Sequence, residues 1–476
     1  MIKQIKLRTL FIIAGLLISL ILSLIIFTGC NSASFHGEEL DPDDVDWEHF
    51  NDLAETFVFA LMDSDYNAAA EMFDRTMTRA LGASGLKTLH SDIIERAGVF
   101  DSIYHIQNDT AEGYIICDTT MEHEHSGVLM RVVFSADDKI AGLFIRGYPD
   151  LYGTENALTE PLQREGFTDY PVIIGEGTEF WLNGILSVPD DMPEKVPAVV
   201  IVHGSGPSDM DGVPAAMPNF PNKPYRDIAE HLARNGIAVI RYDKRTKAHG
   251  IKMPPDITVW EETIEDAILA TKLLKADPRI DENRVFIIGH SLGAMLAPRI
   301  HTEGGNFAGL ILLAGSPRSL LDIIRDQNID FVNANLEGDE KESALASLTG
   351  EKWNELVVEP IMSMPADEAR KTQSSFGVSF YYMQDLLNHP PEDYIKNMTQ
   401  PFLILQGSAD FQITVENDFN LYRKIFEGKT NAEFILYESL NHMFMPSTTA
   451  TISEYELPST VDPQVLSDIT RRIKDN

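Results

Sequence analysis

The stretch Arg284-Val-Phe-Ile-Ile-Gly-His-Ser-Leu-Gly-Ala-Met-Leu-Ala297 decides the fold of this chain. Its apolar run, 285–288, is typical of a strand buried on both faces of a parallel sheet. A Gly-x-Ser-x-Gly motif, 289–293, follows this run, and the pattern from 292 to 300 predicts a helix. A strand, a sharp glycine-flanked turn and a helix form the context of a nucleophile elbow. The alternative is a chance Gly-x-Ser-x-Gly, which would not require that context, so Ser291 is the candidate nucleophile.

The elbow also predicts where an oxyanion would bind. A sharp turn strains the backbone of its central residue, and flanking glycines let the strand and the helix approach each other. The first amides of the helix, including that of Leu292, would then face a developing oxyanion. A second amide is expected from the loop His203-Gly204-Ser205-Gly206, which follows a predicted strand at 198–202. The Ser205 N–H is the candidate, and an ordinary glycine-rich turn is the alternative.

A serine hydroxyl needs a base, and the base needs an acid that orients it. Downstream of an elbow these follow in the order acid, then histidine. The predicted strand 402–405 runs into a small-residue loop that carries Asp410, and the last predicted strand, 433–437, is followed by a loop with His442. Both side chains would lie at the carboxyl edge of the sheet, on the same edge as Ser291.

Five ordered blocks resemble those of serine α/β-hydrolases of the bacterial carboxylesterase, dienelactone-hydrolase-like type. The blocks are His203-Gly-Ser-Gly-Pro207, Arg241-Tyr-Asp-Lys-Arg245, Gly289-His-Ser-Leu-Gly293, Gln406-Gly-Ser-Ala-Asp410 and Asn441-His442. The resemblance covers about 170–476 and implies an α/β fold with a mostly parallel central sheet. It implies hydrolysis of carboxylic esters through an acyl-enzyme on Ser291, with His442 as base, Asp410 as orienting acid, and no metal or organic cofactor.

Further site residues come from the same blocks. His203, Arg245 and His290 are candidate substrate contacts. Ion pairing is the main interpretation of the charges at Asp243, Lys244 and Arg245, and contact between Arg245 and a substrate carboxylate is the alternative.

A helical segment at about 317–398 interrupts the strands and predicts a lid. Its aromatic residues would line an acyl pocket or simply pack; they are Phe376, Phe380, Tyr381 and Tyr382, with Met383 beside them. Two histidines, His301 after the elbow and His389 in the lid, are rival bases that we interpret as structural.

A length of 476 residues predicts more than one domain. We expect a signal peptide with a lipobox at 1–30, a tether at 31–46, an α+β accessory domain at 47–148, a linker at 149–169 and the hydrolase domain at 170–476. In the accessory domain, helical spacing precedes four predicted strands, 100–106, 111–119, 127–135 and 139–146. The order resembles nuclear-transport-factor-like or cystatin-like modules. His123 and His125 suggest metal ligands on one strand, but a solvated hairpin tip is preferred and no metal is predicted.

The amino terminus predicts export. Lys3, Lys6 and Arg8 precede an apolar run, 10–27, that ends in Thr28-Gly29-Cys30. This end resembles a bacterial lipobox, which implies cleavage before Cys30 and a lipid anchor on its sulfur. An uncleaved transmembrane helix is the alternative, and both place the protein on the cell membrane facing outside the cytoplasm. Cys117 would be left without a partner, and we expect it to be a buried small hydrophobe.

The formal net charge of −35 argues against a nucleic acid partner. The predicted substrate is a small-molecule ester. Two alternatives use the same triad: a serine exopeptidase or amidase, and an acyltransferase. They remain because the motif does not determine which leaving group the enzyme accepts. A surface binding protein with a non-catalytic hydrolase scaffold is an alternative of another class.

Overall fold

The computed structural model describes residues 45–111, 113–124, 126–147, 158–192, 194–215, 217, 220–254, 256–374 and 377–476. The predicted signal peptide with Cys30, nearly all of the tether, and the residues His125 and Phe376 therefore lie outside the described residues. What is described forms two compact units: 45–147 together with His249–Lys252, and 158–248 together with 253–476.

The smaller unit has helices followed by an antiparallel sheet, which confirms the predicted α+β organisation. Its helices are α1 Trp47–Met62, α2 Tyr66–Glu71, α3 Arg75–Ala80 and α4 Gly82–Ala97, and its strands are β1 Phe100–Ala111, β2 Tyr114–His123, β3 Gly127–Phe134 and β4 Ile140–Gly147. The strands pair in the order β1-β2-β3-β4. The first strand runs past its predicted end at 106, because polar residues on an edge strand conceal its continuation.

The core of the smaller unit lies between the helices and one face of the sheet. Cys117 and Met121 on β2 are completely buried there, beside Phe57 and Leu61 of α1. Burial raises the pKa of the Cys117 thiol to about 12, so this cysteine is an inert core residue, as predicted.

The larger unit is built on a mixed sheet. Its strands are β5 Leu162–Gln163, β6 Phe167–Ile174, β7 Leu182–Pro189, β8 Val196–Val202, β9 Ala238–Tyr242, β10 Ile280–His290, β11 Leu310–Leu313, β12 Phe402–Gly407 and β13 Ala432–Tyr437. Their order is β13-β12-β11-β10-β8-β9-β7-β6-β5. The pairs from β9 to β13 are parallel, and β5, β6 and β7 pair antiparallel. The predicted mostly parallel sheet is confirmed.

Helices cover both faces of this sheet and fill the predicted lid. They are α5 Pro224–Arg234, α6 Arg245–Ala248, α7 Glu265–Ala276, α8 Leu292–Ile300, α9 Leu320–Asn335, α10 Gly338–Ser347, α11 Gly350–Trp353, α12 Glu359–Ser363, α13 Ala366–Ala369, α14 Phe380–Asn388, α15 Pro391–Ile395, α16 Asn420–Ile425 and α17 Pro463–Lys474. Helical turns of π type, Trp260–Ile264, His301–Gly305, Asn354–Val358 and Val415–Phe419, and of 3-10 type, Ile452–Glu456, join or extend them. A further 3-10 turn, Gly250–Lys252, is grouped with the smaller unit.

Strand β8 contributes side chains to the hydrophobic cores on both faces of the sheet. All seven of its residues are buried. Val199 and Ile201 pack with α5 and α17 on one face, whereas Val200 and Val202 belong to the core of the other face, with α7 and α8. From β8 the chain crosses to β9 on one side and later to β10 on the other. Such a switch point opens a crevice at the carboxyl ends of the strands.

The predicted linker needs a correction at its end. Strand β5 and the start of β6 already belong to the larger sheet, although residues 149–169 were expected to be a linker. Both residues of β5 are exposed at the sheet edge, and a short polar edge strand carries little pattern to predict it.

Among the residues described, no helix is both long enough and apolar enough to cross a membrane.

Candidate active site

Ser291 occupies the turn between β10 and α8. Its backbone angles are φ 54° and ψ −116°, a strained conformation for a residue that carries a Cβ atom. The Ser291 N–H donates to the Leu313 carbonyl at 2.9 Å, and its carbonyl accepts from Ala294 and Met295 at 3.0 and 3.1 Å. Hydrogen bonds of both the N–H and the carbonyl of Ser291 therefore maintain the strained conformation. The backbone has the conformation predicted for a nucleophile elbow.

The two flanking glycines are sterically required. A Cβ atom on Gly289 would lie 2.3 Å from the Gly293 carbonyl oxygen, and one on Gly293 would lie 2.4 Å from the Val202 carbonyl oxygen. Real Cβ atoms do not approach a backbone oxygen this closely. The motif thus brings β10, α8 and the end of β8 into direct contact.

Asp410 and His442 form the predicted acid–base pair. His442 Nδ1 lies 2.8 Å from Asp410 Oδ2, and the two side chains are only 4% and 0% exposed. Because the carboxylate accepts the Nδ1 proton, His442 Nε2 is left to accept a proton from a nucleophile.

The Asp410 carboxylate is held by further donors. Its Oδ1 accepts from the backbone N–H groups of Gln412 and Ile413 at 2.8 and 3.0 Å. Its Oδ2 accepts from the Gln406 side-chain amide at 3.0 Å. These bonds fix the direction in which the carboxylate meets the imidazole.

The loops that carry the acid and the histidine lie against each other. A Cβ atom on Gly407 would lie 2.2 Å from the Leu440 carbonyl oxygen, so glycine is required at this contact. Within the histidine loop, the Asn441 side chain accepts from the N–H groups of Met443 and Met445 at 3.0 and 3.1 Å. The loop is therefore folded before any substrate arrives.

His290 joins the histidine loop to the elbow. Its Nε2 lies 3.0 Å from the His442 carbonyl oxygen, and the centres of the two rings are 4.8 Å apart. Because Ser291 follows His290 directly, this bond brings His442 beside the elbow. The Ser291 hydroxyl makes no hydrogen bond within the described part of the chain. Contact between Ser291 Oγ and His442 Nε2 therefore stays a prediction, and catalytic hydrogen bonds of this kind often form only with substrate bound.

The predicted oxyanion loop passes next to the nucleophile. A Cβ atom on Gly204 would lie 3.2 Å from the Ser291 Cβ. The Gly204 N–H donates to the Tyr225 hydroxyl at 3.3 Å, and Tyr225 lies 3.0 Å from His290 Nδ1. The N–H groups of Ser205 and Leu292 donate no hydrogen bond to any residue that the structure describes. Two amides beside Ser291 are thus free to receive an oxyanion.

The candidate substrate contacts His203 and His290 lie inside the protein, which corrects the prediction. Burial lowers the pKa of each imidazole to about 3. His203 packs edge-on against Tyr225 and Tyr242. His290 is neutral, donates from Nε2 to the His442 carbonyl, and accepts from the Tyr225 hydroxyl at Nδ1. Both nitrogens of His290 are therefore bonded within the protein, which leaves neither of them for a substrate.

Arg245 is also buried. Its guanidinium binds Asp266 and, at 2.8 Å, Glu265, and its side chain is 6% exposed. The ion-pair interpretation is confirmed, and the alternative substrate contact is wrong because both carboxylates belong to α7 of the same unit.

The rival histidines and the lid aromatics have structural partners. His301 Nδ1 accepts from the Phe307 N–H, and His389 Nδ1 bonds to the Asp385 carbonyl. In the lid, Tyr382 and Met383 are buried in the core, which favours packing over a pocket lining for these two residues. Among the described residues, no group of three or more His, Cys, Asp or Glu side chains converges as metal ligands.

Comparisons with known proteins show the family of the chain. A family model described as "Alpha/beta hydrolase family" matches residues 199–453. Esterase EstD of Thermotoga maritima is 30% identical over 423 residues, which cover 89% of this chain and 95% of EstD.

The chain belongs to the alpha/beta hydrolase family.

The smaller unit of this α/β-hydrolase matches a second model, described as "Protein of unknown function (DUF3887)", over residues 54–143. Two solved structures are similar to the chain. Est1E from Butyrivibrio proteoclasticus has 16% identity and a TM-score of 0.38, covering 64% of this chain and 96% of its own. An esterase of Pyrococcus furiosus has 16% identity and a TM-score of 0.40, covering 69% and 98%.

Proposed function

We propose that this α/β-hydrolase is a carboxylesterase that cleaves small-molecule esters through an acyl-enzyme on Ser291. The observation that supports this most is the strained elbow beside the Asp410–His442 pair, together with the Ser205 and Leu292 amides, which have no acceptor among the described residues. Similarity to an esterase over nearly the whole of both chains favours esters over amides as substrates.

In the first half of the reaction, Ser291 Oγ attacks the ester carbonyl carbon while His442 Nε2 takes the serine proton. The carbonyl oxygen becomes an oxyanion and accepts hydrogen bonds from the Ser205 and Leu292 amides. Asp410 stabilises the imidazolium through Nδ1. His442 then gives its proton to the leaving alkoxide, the C–O bond breaks, and the alcohol departs.

The second half repeats these roles with water. His442 Nε2 takes a proton from a water molecule as that water attacks the acyl carbon. The second tetrahedral intermediate uses the same two amides. When it collapses, the Ser291 oxygen leaves and recovers its proton from His442, and the carboxylic acid is released.

The test is a panel of nitrophenyl esters of increasing acyl length, run beside aminoacyl-nitroanilides. We expect ester hydrolysis that disappears in the Ser291→Ala variant and anilide hydrolysis at least about 100-fold slower, because an anilide is a poorer leaving group on the same machinery. Faster cleavage of anilides than of esters would favour the amidase alternative and contradict the proposal.

We also propose that the protein is exported and anchored by a lipid on Cys30, on the strength of its basic start, apolar run and Thr28-Gly29-Cys30. In membrane fractionation of the producing cell, the native protein should sediment with membranes, and Cys30→Ala should retain its uncleaved signal. A native protein that carries an unmodified amino-terminal cysteine and remains in the soluble fraction would contradict this.

A further inference from the structure

Lys244 places a positive charge inside the protein next to the candidate oxyanion loop. Its side chain is 2% exposed. Its Nζ donates to the Gly204 carbonyl at 2.9 Å and lies 3.1 Å from Glu262 Oε1. A buried ammonium is costly unless it is paired and hydrogen-bonded. Here one of its two partners is the backbone of the loop that lies against Ser291.

The contact between Lys244 and the Gly204 carbonyl also fixes the orientation of the Ser205 N–H. The Gly204 C=O and the Ser205 N–H belong to one planar peptide unit, and in the trans form they point in opposite directions. Holding the oxygen toward Lys244 therefore directs the Ser205 N–H away from Lys244. The ammonium also polarises the peptide, which strengthens its N–H as a donor.

The preceding peptide unit, His203–Gly204, is held as well. The Gly204 N–H donates to Tyr225, so both polar groups of Gly204 are occupied, whereas the Ser205 N–H is unpaired within the described residues. Glycine itself imposes few limits on the backbone. Lys244 and Tyr225 thus hold the two peptide units on either side of the Gly204 Cα atom.

Glu262 extends the network to the lid. Its Oε2 accepts a hydrogen bond from the Tyr382 hydroxyl at 2.6 Å, and Tyr382 lies on α14. Burial and the neighbouring carboxylate keep the pKa of Tyr382 well above its usual value, so this hydroxyl remains a donor. One helix of the lid is therefore bonded, through two side chains, to the peptide beside Ser291.

We propose that Lys244 is a positioning residue: with Glu262, it holds the Gly204–Ser205 peptide so that the Ser205 N–H receives the oxyanion formed on Ser291. The inference rests on the proposed function. Lys244 acts through the peptide and does not touch the substrate.

The test is the double variant K244M/E262Q. It removes both charges together, since a lone buried carboxylate would destabilise the fold, and the substituted amide side chain retains an oxygen for Tyr382. We expect kcat for a nitrophenyl ester to fall by about 10- to 100-fold, as for a misplaced oxyanion donor. KM should change by less than about threefold, and the inhibition constant of a trifluoromethyl ketone should rise by a factor similar to the loss in kcat, because that inhibitor forms an oxyanion on serine.

The matched control is R299M/D385N. This pair also joins a buried basic side chain, on α8, to α14 of the lid, at 2.7 Å, but it does not contact the oxyanion loop. Its kcat and inhibitor affinity should stay within about threefold of the native values. Equal losses in the two double variants would assign the effect to loosening of the lid and would overturn the proposal.

Hydrogen exchange of peptides covering 203–215 provides a readout that needs no reaction. Exchange there should quicken in K244M/E262Q and not in R299M/D385N. If the native protein hydrolyses no ester while this difference appears, the proposed function fails and the positioning role stands. Native kcat, inhibitor affinity and exchange in K244M/E262Q would overturn the positioning role alone.

Discussion

Both units of this protein bury histidines, but with opposite consequences. In the smaller unit His90 and His123 are 4% and 1% exposed, and neither nitrogen of His123 has a partner among the described residues. In the larger unit His442 is 3% exposed and bonds to Asp410 through Nδ1. His123 and His442 are thus buried to a similar degree, whereas their hydrogen-bond partners differ.

The difference separates a buried histidine from the one that we propose as the catalytic base. Burial, with a smaller effect from His90, lowers the pKa of His123 to about 4. The result is a neutral ring whose two nitrogens have no hydrogen-bond partner among the described residues. His442 has an oriented carboxylate as its partner and a strained serine at the neighbouring elbow. Near that serine, the Ser205 and Leu292 amides have no acceptor in the part of the chain that the structure describes. Chemistry in this chain therefore follows from convergence of several groups and not from burial of a titratable one.

The largest expected effect is at the nucleophile. Ser291→Ala should lower kcat for a nitrophenyl ester by on the order of 10⁴-fold or more, because Ser291 carries the hydroxyl at the elbow beside the Asp410–His442 pair. Ser467→Ala, which changes an exposed hydroxyl on α17, is the control and should match the native rate. Residual turnover within about tenfold of native in Ser291→Ala would remove the serine from the mechanism.

The second largest loss of activity is expected for Asp410→Asn, with kcat about 10³- to 10⁴-fold lower. An amide at this position no longer fixes the proton on His442 Nδ1 and no longer stabilises the imidazolium. Asp418→Asn is the matched control. Asp418 is also buried but bonds to Ser316 and Arg318 instead of a histidine. It should lose thermal stability and keep kcat within about threefold. Similar kcat losses in both would mean that the carboxylate acts only through folding.

A smaller effect is expected at Tyr225, which links Gly204 to His290. Tyr225→Phe removes a hydroxyl that accepts from the loop and donates to the ring, so kcat should fall by about tenfold with the fold retained. Tyr422→Phe provides a control, since the buried Tyr422 hydroxyl has no partner among the described residues. Its removal should leave kcat unchanged, and an equal loss in both variants would contradict the link.

The smallest effect on turnover is expected in the smaller unit. His123→Leu should not alter ester hydrolysis but should change how stability depends on pH. The native ring titrates at about 4, against 6.5 when unfolded, so the unfolded chain binds more protons between these values. Stability of this unit is therefore fully present above pH 6.5 and falls by on the order of 2 kcal/mol between pH 7.5 and pH 5.

Hydrogen exchange of β2 amides at these two pH values checks the prediction. His123→Leu should reduce the acid-side loss, whereas His105→Leu, a change at an exposed ring on β1, should leave it as it was. If β2 opens equally at both pH values in the native protein, the imidazole is not held neutral by burial.

Much of the fold could be predicted from local patterns. The helix from Leu292 to Ile300 and the strand from Leu310 to Leu313 have their predicted bounds, because uninterrupted apolar runs bounded by glycine and polar turns leave few alternatives. The edge strand β5 could not be predicted, since an exposed strand of two residues has no alternating pattern.

The site was predictable where the fold fixes the order of the functional residues along the chain, and unpredictable where tertiary packing decides. Ser291, Asp410 and His442 follow from the motif and the sequence of loops. The role of Lys244 does not, because a lysine in a charged block looks solvated until the fold buries it against Gly204. Its partners Glu262 and Tyr382 come from separate segments, and no spacing in the sequence links them. The same reasoning placed His290 at the substrate, whereas both of its nitrogens bond within the protein.

The most direct test of the convergence of Ser291, His442 and Asp410 is the site of a fluorophosphonate adduct, mapped by peptide mass spectrometry. The reagent labels a serine only when a neighbouring base activates it. The account predicts one adduct, on the peptide that carries Ser291, and strongly reduced labelling in Asp410→Asn. Labelling of a different serine, or ester hydrolysis that continues with Ser291 unmodified, would contradict it.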